Sequence, residues 1–372
     1  MRGHGEGTIT KRSDGRWQAQ ISIEGGKRKT YYGKTKKEVQ EKLRLAINEQ
    51  KQGMLSTGPD QTLATYLNYW LDTVHKPLIR VRSYEQYLSS INHHIIPGLG
   101  KITLHKLTVQ HIRAFYAGKL DEGLAPRTVI QMHMILHKAL DDAMHDGLIQ
   151  RNVVSLVKRP AAAKYEAQTL TVEQARKLLE FAKGHRIEGI LILALTTGVR
   201  RGELLGLHWD DVDFEQKFMY IRRNLSRAKG RGAFEGETKS KTSSRRIMLS
   251  SVAVDALKEH KLRQESARLQ AGEKWKERGL VFSGTSGQFL IPETVAKLFH
   301  RILSDLGFPY MRFHDLRHSA ATILLTRGVH PKVVQEILGH SSISVTMDIY
   351  SHVLPSIHGD AADGMDDAFR HS

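Results

Sequence analysis

The hydrophobic pattern of this chain is interrupted twice, and the interruptions constrain how it can fold. Residues 54–61 (Met54 to Gln61) contain Gly, Pro and Ser in place of periodic apolar positions, and residues 161–168 (Ala161 to Gln168) form a second break. A chain of 372 residues is also too long for one ordinary core. Three segments are therefore expected, at 1–55, 62–160 and 167–358, with a polar tail at 359–372 that carries four Asp.

In the first segment Trp17, Ala19, Ile21 and Ile23 alternate with Gln18, Gln20 and Ser22, the period of a strand with one wet face. Gly25-Gly26 turns the chain, and Lys29 to Tyr32 form the return strand. Thr35-Lys36-Lys37-Glu38 has capping-box spacing and opens a helix that buries Val39, Leu43, Ala46 and Ile47. This segment is a small sheet with one helix.

The second segment reads as helical throughout. Leu63, Tyr66, Leu67 and Trp70 share one face; Tyr84, Tyr87, Leu88 and Ile91 continue the pattern. Pro97-Gly98-Leu99-Gly100 reads as a turn. Thr108 starts a helix over Ile112 and Phe115, and Pro126 opens another over Ile130, Ile135, Leu136 and Leu140. About four short helices make a bundle.

The third segment mixes helices with a small sheet. Thr171 and Gln174 cap a helix over Ala175, Leu178, Leu179 and Ala182. Residues 218–223 and 245–249 read as strands joined by a long Lys/Arg/Gly-rich connection. The longest apolar run, Ile190 to Leu195, fits a buried helix and is far short of the roughly 18–20 residues that cross a membrane. The expected fold is multidomain and mainly α, with small β-sheets: an α+β first domain, a helical second and a mixed α/β third.

Charge and composition narrow the function. Lys and Arg number 56 against 39 acids, a net charge of +17 that attracts polyanions, nucleic acid first among them. There is no cysteine, which excludes disulfides, thiol nucleophiles and cysteine-based zinc sites and agrees with a cytoplasmic protein. The residues at the start carry no apolar stretch of the kind an export signal needs.

Four short motifs follow one another in the third segment. They are Thr197-Gly198-Val199-Arg200-Arg201-Gly202-Glu203, then Lys239-Ser240-Lys241-Thr242-Ser243-Ser244-Arg245, then His314-Asp315-Leu316-Arg317-His318, then Leu338-Gly339-His340 with Tyr350 ten residues later. Each alone is unspecific. An Arg200–Glu203 pair taken singly is an ordinary surface ion pair, and His314-Asp315-x-x-His318 differs by one methylene from a zinc-protease pattern. A phosphodiester in transfer spreads charge over its nonbridging oxygens, so positioned cations are the main catalytic need. Arg200 and Arg317 suit that clamp, because a guanidinium is planar, charged and able to grip two oxygens. His314 and Arg317, three apart, share a helix face, and His340 adds a donor.

Taken in order, the four motifs resemble those of the tyrosine recombinases of the phage-integrase type. The resemblance covers nearly the whole chain and implies an arm-site DNA-binding domain at 1–55, a core-binding domain at 62–160 and a catalytic domain at 167–358. It implies Tyr350 as nucleophile, His314 as acceptor of its proton and Lys239 as the acid for the leaving 5′ oxygen. Lys241 fits the same turn and competes with Lys239 for that role, while Glu203 orients a catalytic Arg or His. It further implies integration or excision of a mobile element without ATP, metal or other cofactor. Its partners would be double-stranded DNA, three further copies in a homotetramer and an accessory directionality factor or host DNA-bending protein. DNA contacts are expected from Lys11, Arg12, Arg16, Lys27, Arg28 and Lys29 in the first segment. Arg82 and Arg127 at helix starts, and Lys241 and Arg245 beside the catalytic lysine, extend that set. Two other readings remain open at this point: a type IB topoisomerase-like enzyme, and a non-catalytic DNA-binding protein on the same fold.

Overall fold

The computed structural model describes residues 7–22, 28–51, 60–163, 165, 167–228, 230, 232–237, 244–340, 342–350 and 369. The chain divides into two compact units, Met1–Lys164 and Tyr165–Ser372. It is mostly helical, with small antiparallel sheets.

In the first unit β1 (Thr8–Lys11), β2 (Trp17–Ser22) and β3 (Arg28–Gly33) form an antiparallel sheet in that order, followed by α1 (Lys36–Lys51). The register Ile9↔Ala19↔Tyr31 puts the apolar residues of the strands on one face. Ala19 and Ile21 there close a core with Val39, Leu43 and Ala46 of the helix, and Trp17 packs at its edge. The other face carries Thr10, Gln18 and Tyr32 in one row and Thr8, Gln20 and Thr30 in the next. Glu38 N–H donates to Thr35 Oγ1 at 3.2 Å as expected, yet the Glu38 carboxylate accepts from Lys34 N–H at 3.0 Å, one residue before the cap. Lys42 Nζ, one turn on, takes the other carboxylate oxygen at 2.7 Å. Ile23, Gly25-Gly26 and the linker at 54–59 lie outside the described residues.

The helices of this unit are α2 (Leu63–Tyr69), α3 (Val81–Ser90), α4 (Ile96–Leu99), α5 (Val109–Asp121) and α6 (Pro126–His145). Leu63, Tyr66, Leu67 and Trp70 are fully buried among Ile91, Ile112, Ile135, Leu136 and Leu140. Val129 rather than Ile130 completes the buried face of α6. The expected turn at Pro97–Gly100 is instead largely helix. A wide π turn at Ile91–Ile95, in which Ile96 N–H reaches back to Ile91 O, resets the register, so Pro97 falls in a new first turn where its missing N–H costs nothing.

The second unit begins with α7 (Val172–Phe181), capped reciprocally by Thr171 and Gln174, then α8 (Glu188–Thr197) and α9 (Arg201–Leu205). Strands β4 (Val212–Asp213), β5 (Phe218–Ile221), β6 (Arg223–Ala228), β7 (Gly232–Glu237) and β8 (Arg245–Met248) follow. The connection between the expected strands is itself a hairpin: β6 pairs with β7, while β5 pairs with β4 and β8. Helices α10 (Ser251–Ala271), α11 (Pro292–Asp305), α12 (Asp315–Thr326), α13 (Pro331–Leu338) and α14 (Ile343–Tyr350) complete the unit. The apolar run Ile190–Leu195 makes α8 buried on all sides, which is why its residues show no polar face. It fixes the origin of the loop that follows it.

Leu191 is fully buried in that helix, and removing its side chain leaves a cavity that packed neighbours cannot fill. Leu191→Ala is expected to destabilise the second unit by about 3 kcal/mol, read as a lower urea midpoint at unchanged slope.

Candidate active site

The first motif is a helix end, a loop and a helix start. Gly198 terminates α8 in the left-handed region (φ 62°), and a Cβ there would collide with Leu338. Arg200 is then the N-cap of α9, and Glu203 at the third position reaches back to it. Glu203 Oε1 accepts from Arg200 Nη1 at 2.8 Å and Oε2 from the Arg200 backbone N–H at 3.3 Å. The pair is the one the spacing suggests, but Glu203 is buried rather than on a surface.

Two later segments converge on this loop. His314 caps α12, so Arg317 lies in its first turn; the residue is 4% exposed and its Nη1 donates to Gly198 O at 2.8 Å. Its Nη2 is buried and has no hydrogen-bond partner among the described residues. Gly339 ends α13 in the left-handed region (φ 67°) and turns the chain to His340. Arg200 Nη2 donates to Gly339 O at 3.0 Å, tying the first motif to the last. His340 Nδ1 lies 2.9 Å from Thr346 Oγ1, a fully buried hydroxyl on α14. Tyr350 is the last residue of that helix; its side chain lies outside the described residues.

The electrostatics are strongly cationic. Burial lowers the Arg317 pKa to about 9, with Arg200 and Arg245 adding to the shift and Glu203 opposing it, so the group is still charged at pH 7. Desolvation, then Arg317 and Arg200, lower His340 to about 3. Although His314 is exposed at the surface, desolvation of its ring, then His318 and Arg317, lower it to about 4. Both imidazoles are neutral at pH 7. Burial raises the Glu203 pKa, but Arg245 and Arg200 outweigh it and hold the carboxylate ionised. Asp315 is fully buried and committed elsewhere: it accepts from Arg312 Nη2 at 3.0 Å and from Tyr165 Oη at 2.7 Å. This carboxylate locks the start of α12 next to His314. His318 meets the His314 ring edge-on, centroids 5.5 Å apart.

The structure thus brings together Arg200, Glu203, His314, Arg317 and His340. Lys239, Lys241 and Lys27 lie outside the described residues. Lys11, Arg12, Arg16 and Arg28 are exposed on or beside the N-terminal sheet, with Lys29 half-buried; Arg82 and Arg127 are exposed near helix starts. Asp14 in the β1–β2 turn holds Arg16 at 2.8 Å and Arg12 at 3.3 Å. Arg245 differs from the rest of the expected DNA contacts: its side chain is 8% exposed and turned inward to Glu203 Oε2 at 3.0 Å. Sequence reasoning missed Thr346, Arg312 and Tyr165. Arg312 and Asp315 are three apart across a helix start, a spacing that carries a signal; Tyr165 to Asp315 spans 150 residues and carries none.

The histidines generate a testable pH response. A His whose folded pKa is lowered binds its proton at lower pH when folded than when unfolded, so its contribution is present above about pH 6.5 and is lost as pH falls toward the folded values. In DNA-free protein the His314 and His340 ring carbons are expected to titrate below pH 5 by NMR. Titration of either near 6.5 would contradict the environment described. Thr346→Val removes the partner of His340 and is expected to slow any reaction that uses this imidazole about 10-fold.

Comparison with known proteins agrees with this geometry. The family model described as "Phage integrase family" matches residues 168–356, and "Phage integrase, N-terminal SAM-like domain" matches residues 62–120. A "Tyrosine recombinase XerC-like" protein of Caldanaerobacter subterraneus subsp. tengcongensis is 33% identical, over 93% of this chain and 94% of its own. Among solved structures, the Tn1549 transposon integrase in complex with circular intermediate DNA shares the fold at TM-score 0.67 and 19% identity, covering 78% of this chain and 95% of that one. A lambda integrase tetramer bound to a Holliday junction matches at TM-score 0.58 and 20% identity, covering 94% of this chain and 96% of that one. Among the described residues, no helix is long and apolar enough to cross a membrane. With Arg200, Arg317, His314 and His340 brought together and a relative of this similarity along nearly its whole length, the chain belongs to the phage integrase family of tyrosine recombinases.

Proposed function

We propose that this protein is a site-specific DNA recombinase that moves a mobile element by cutting and rejoining double-stranded DNA through a phosphotyrosyl bond to Tyr350. The observation that carries the reading is the buried Nη2 of Arg317, a charged donor without a partner among the described residues, in a site where Arg200, His314 and His340 meet. A buried unpaired cationic donor is costly unless an anion completes it, and one phosphate satisfies it.

In this reading Arg200 and Arg317 hold the nonbridging oxygens of the scissile phosphate. His340 donates from Nε2 when Thr346 donates its hydroxyl proton to Nδ1, the tautomer that leaves Nε2–H for the phosphate. The Tyr350 oxygen attacks phosphorus while neutral His314 accepts its proton; the bond from phosphorus to the 5′ oxygen breaks, and Lys239 protonates that oxygen. The products are a 3′-phosphotyrosyl ester and a free 5′ hydroxyl. The ester conserves the bond, so religation to a second 5′ hydroxyl needs neither ATP nor a cofactor.

The segments at 1–55 and 62–160 are assigned to DNA reading. The polar sheet face with Gln18, Gln20 and Thr30, beside Arg12 and Arg28, has the donors and charge for a groove. Arg82 and Arg127 suit backbone phosphates. Four protomers on two duplexes, acting in the cytoplasm with an accessory directionality or DNA-bending factor, complete the proposal.

The test is covalent trapping on a nicked suicide DNA carrying the core site. Wild type is expected to give an adduct that survives SDS and is destroyed by protease, and Tyr350→Phe to give none. Binding without an adduct from wild type would favour a non-catalytic DNA-binding role. Relaxation of supercoils without exchange between sites would favour a topoisomerase.

A further inference from the structure

Arg245 stands at the start of β8, outside the set of groups that reach the phosphate in the reading above. Among the described residues its guanidinium reaches two distant partners. Nη2 donates to Glu203 Oε2 at 3.0 Å, and Nε donates to Ile337 O at 2.9 Å, near the C-terminus of α13. Gly339 packs against it so closely that a Cβ there would lie 3.1 Å from Cζ, Nε and Nη1. The other oxygen of Glu203 holds Arg200, and Arg200 in turn holds Gly339 O. Two arginines therefore share one buried carboxylate and between them grip two carbonyls at the end of α13, immediately before His340.

We infer that Arg245 is a positioning residue for strand cleavage: it sets Arg200 through Glu203 and sets His340 through the end of α13, and makes no phosphate contact of its own. The inference rests on the recombinase reading above. Three features carry it beyond an ordinary ion pair. The side chain is 8% exposed, and its Nη2 and Nε are already engaged by Glu203 and Ile337. Its geometry uses separate nitrogens on two partners 134 residues apart in sequence (Glu203 and Ile337), which an ammonium cannot copy. It also begins β8, six residues after Lys239 in the sequence.

The roles separate by measurement on the full-length protein with core-site DNA. The two readouts are the single-turnover rate of adduct formation on saturating suicide DNA, and the slope of log Kd against log salt. Arg245→Met is expected to form adduct about 100-fold more slowly, the cost of a small misplacement of catalytic groups. Arg245→Lys keeps the charge without the fork and is expected about 10-fold slower than wild type. The salt slope should be unchanged in both. Glu203→Gln combined with Arg245→Met should be no slower than the slower single variant, because both changes break one unit. If Arg245→Met does not fold, Arg245→Lys decides alone.

Cleavage at the wild-type rate by a folded variant would overturn the inference. So would a salt slope smaller by about 1, the mark of a lost phosphate contact. Absence of adduct from wild type would instead sink the recombinase reading itself, which keeps the two failures distinct.

Discussion

One buried carboxylate organises the catalytic unit. Glu203 lies between Arg200 and Arg245 and ionises because the two guanidinium groups outweigh the cost of burying it. Without it, three arginines would lie close together with no carboxylate between them. With it, two are neutralised in part and oriented, and a surplus of positive charge remains around Arg317. Such a site is polarised before any DNA arrives, so the developing charge on a phosphate meets dipoles and cations that need no rearrangement.

The scaffold supplies that order through helix ends. Helices α8 and α13 both finish on a left-handed glycine, and the carbonyls released there accept from Arg317, Arg200 and Arg245. A helix C-terminus is the negative end of a dipole and offers unpaired acceptors, so it is a natural seat for a guanidinium. The start of α12 is held differently: buried Asp315 takes Arg312 and Tyr165 and so fixes the turn that presents His314. Rigid, buried α8 makes these ends reproducible, since a helix packed on every side cannot shift without opening the core.

The first unit uses other physics. Its sheet keeps one face for the core and leaves the other to Gln, Thr and Tyr side chains, with arginines restrained by Asp14 at the turn. Its helical part buries Trp70, whose indole N–H donates to Asp142 at 2.8 Å, and stacks His75 on Trp70 at 4.5 Å. A bundle packed this way presents exposed basic residues near helix starts without drawing them into the core.

Much of this was legible from the residues alone. Strand alternation at Trp17–Ser22, the capping pair Thr171–Gln174, the all-apolar α8 and the helical spacing of Leu63, Tyr66, Leu67 and Trp70 are local patterns, and local patterns survive in sequence. So are the motifs that identify the family, because each places its residues within a few positions of one another. Where reading failed, a neighbour far along the chain, or a register reset, had changed the local rule. The π turn at Ile91–Ile95 made Pro97 compatible with a helix, and the Lys/Arg/Gly-rich connection folded on itself as β6 and β7. By itself, then, the sequence determined which chemical groups are present, in what order, and on which kinds of element. The tertiary structure alone decided their partners: Arg245 with Glu203 and Ile337, Arg317 with Gly198, Tyr165 with Asp315. Such contacts join residues 42 to 150 positions apart, and a charge read in sequence does not reveal whether it will be met by solvent, by DNA or by a carbonyl at the end of a distant helix.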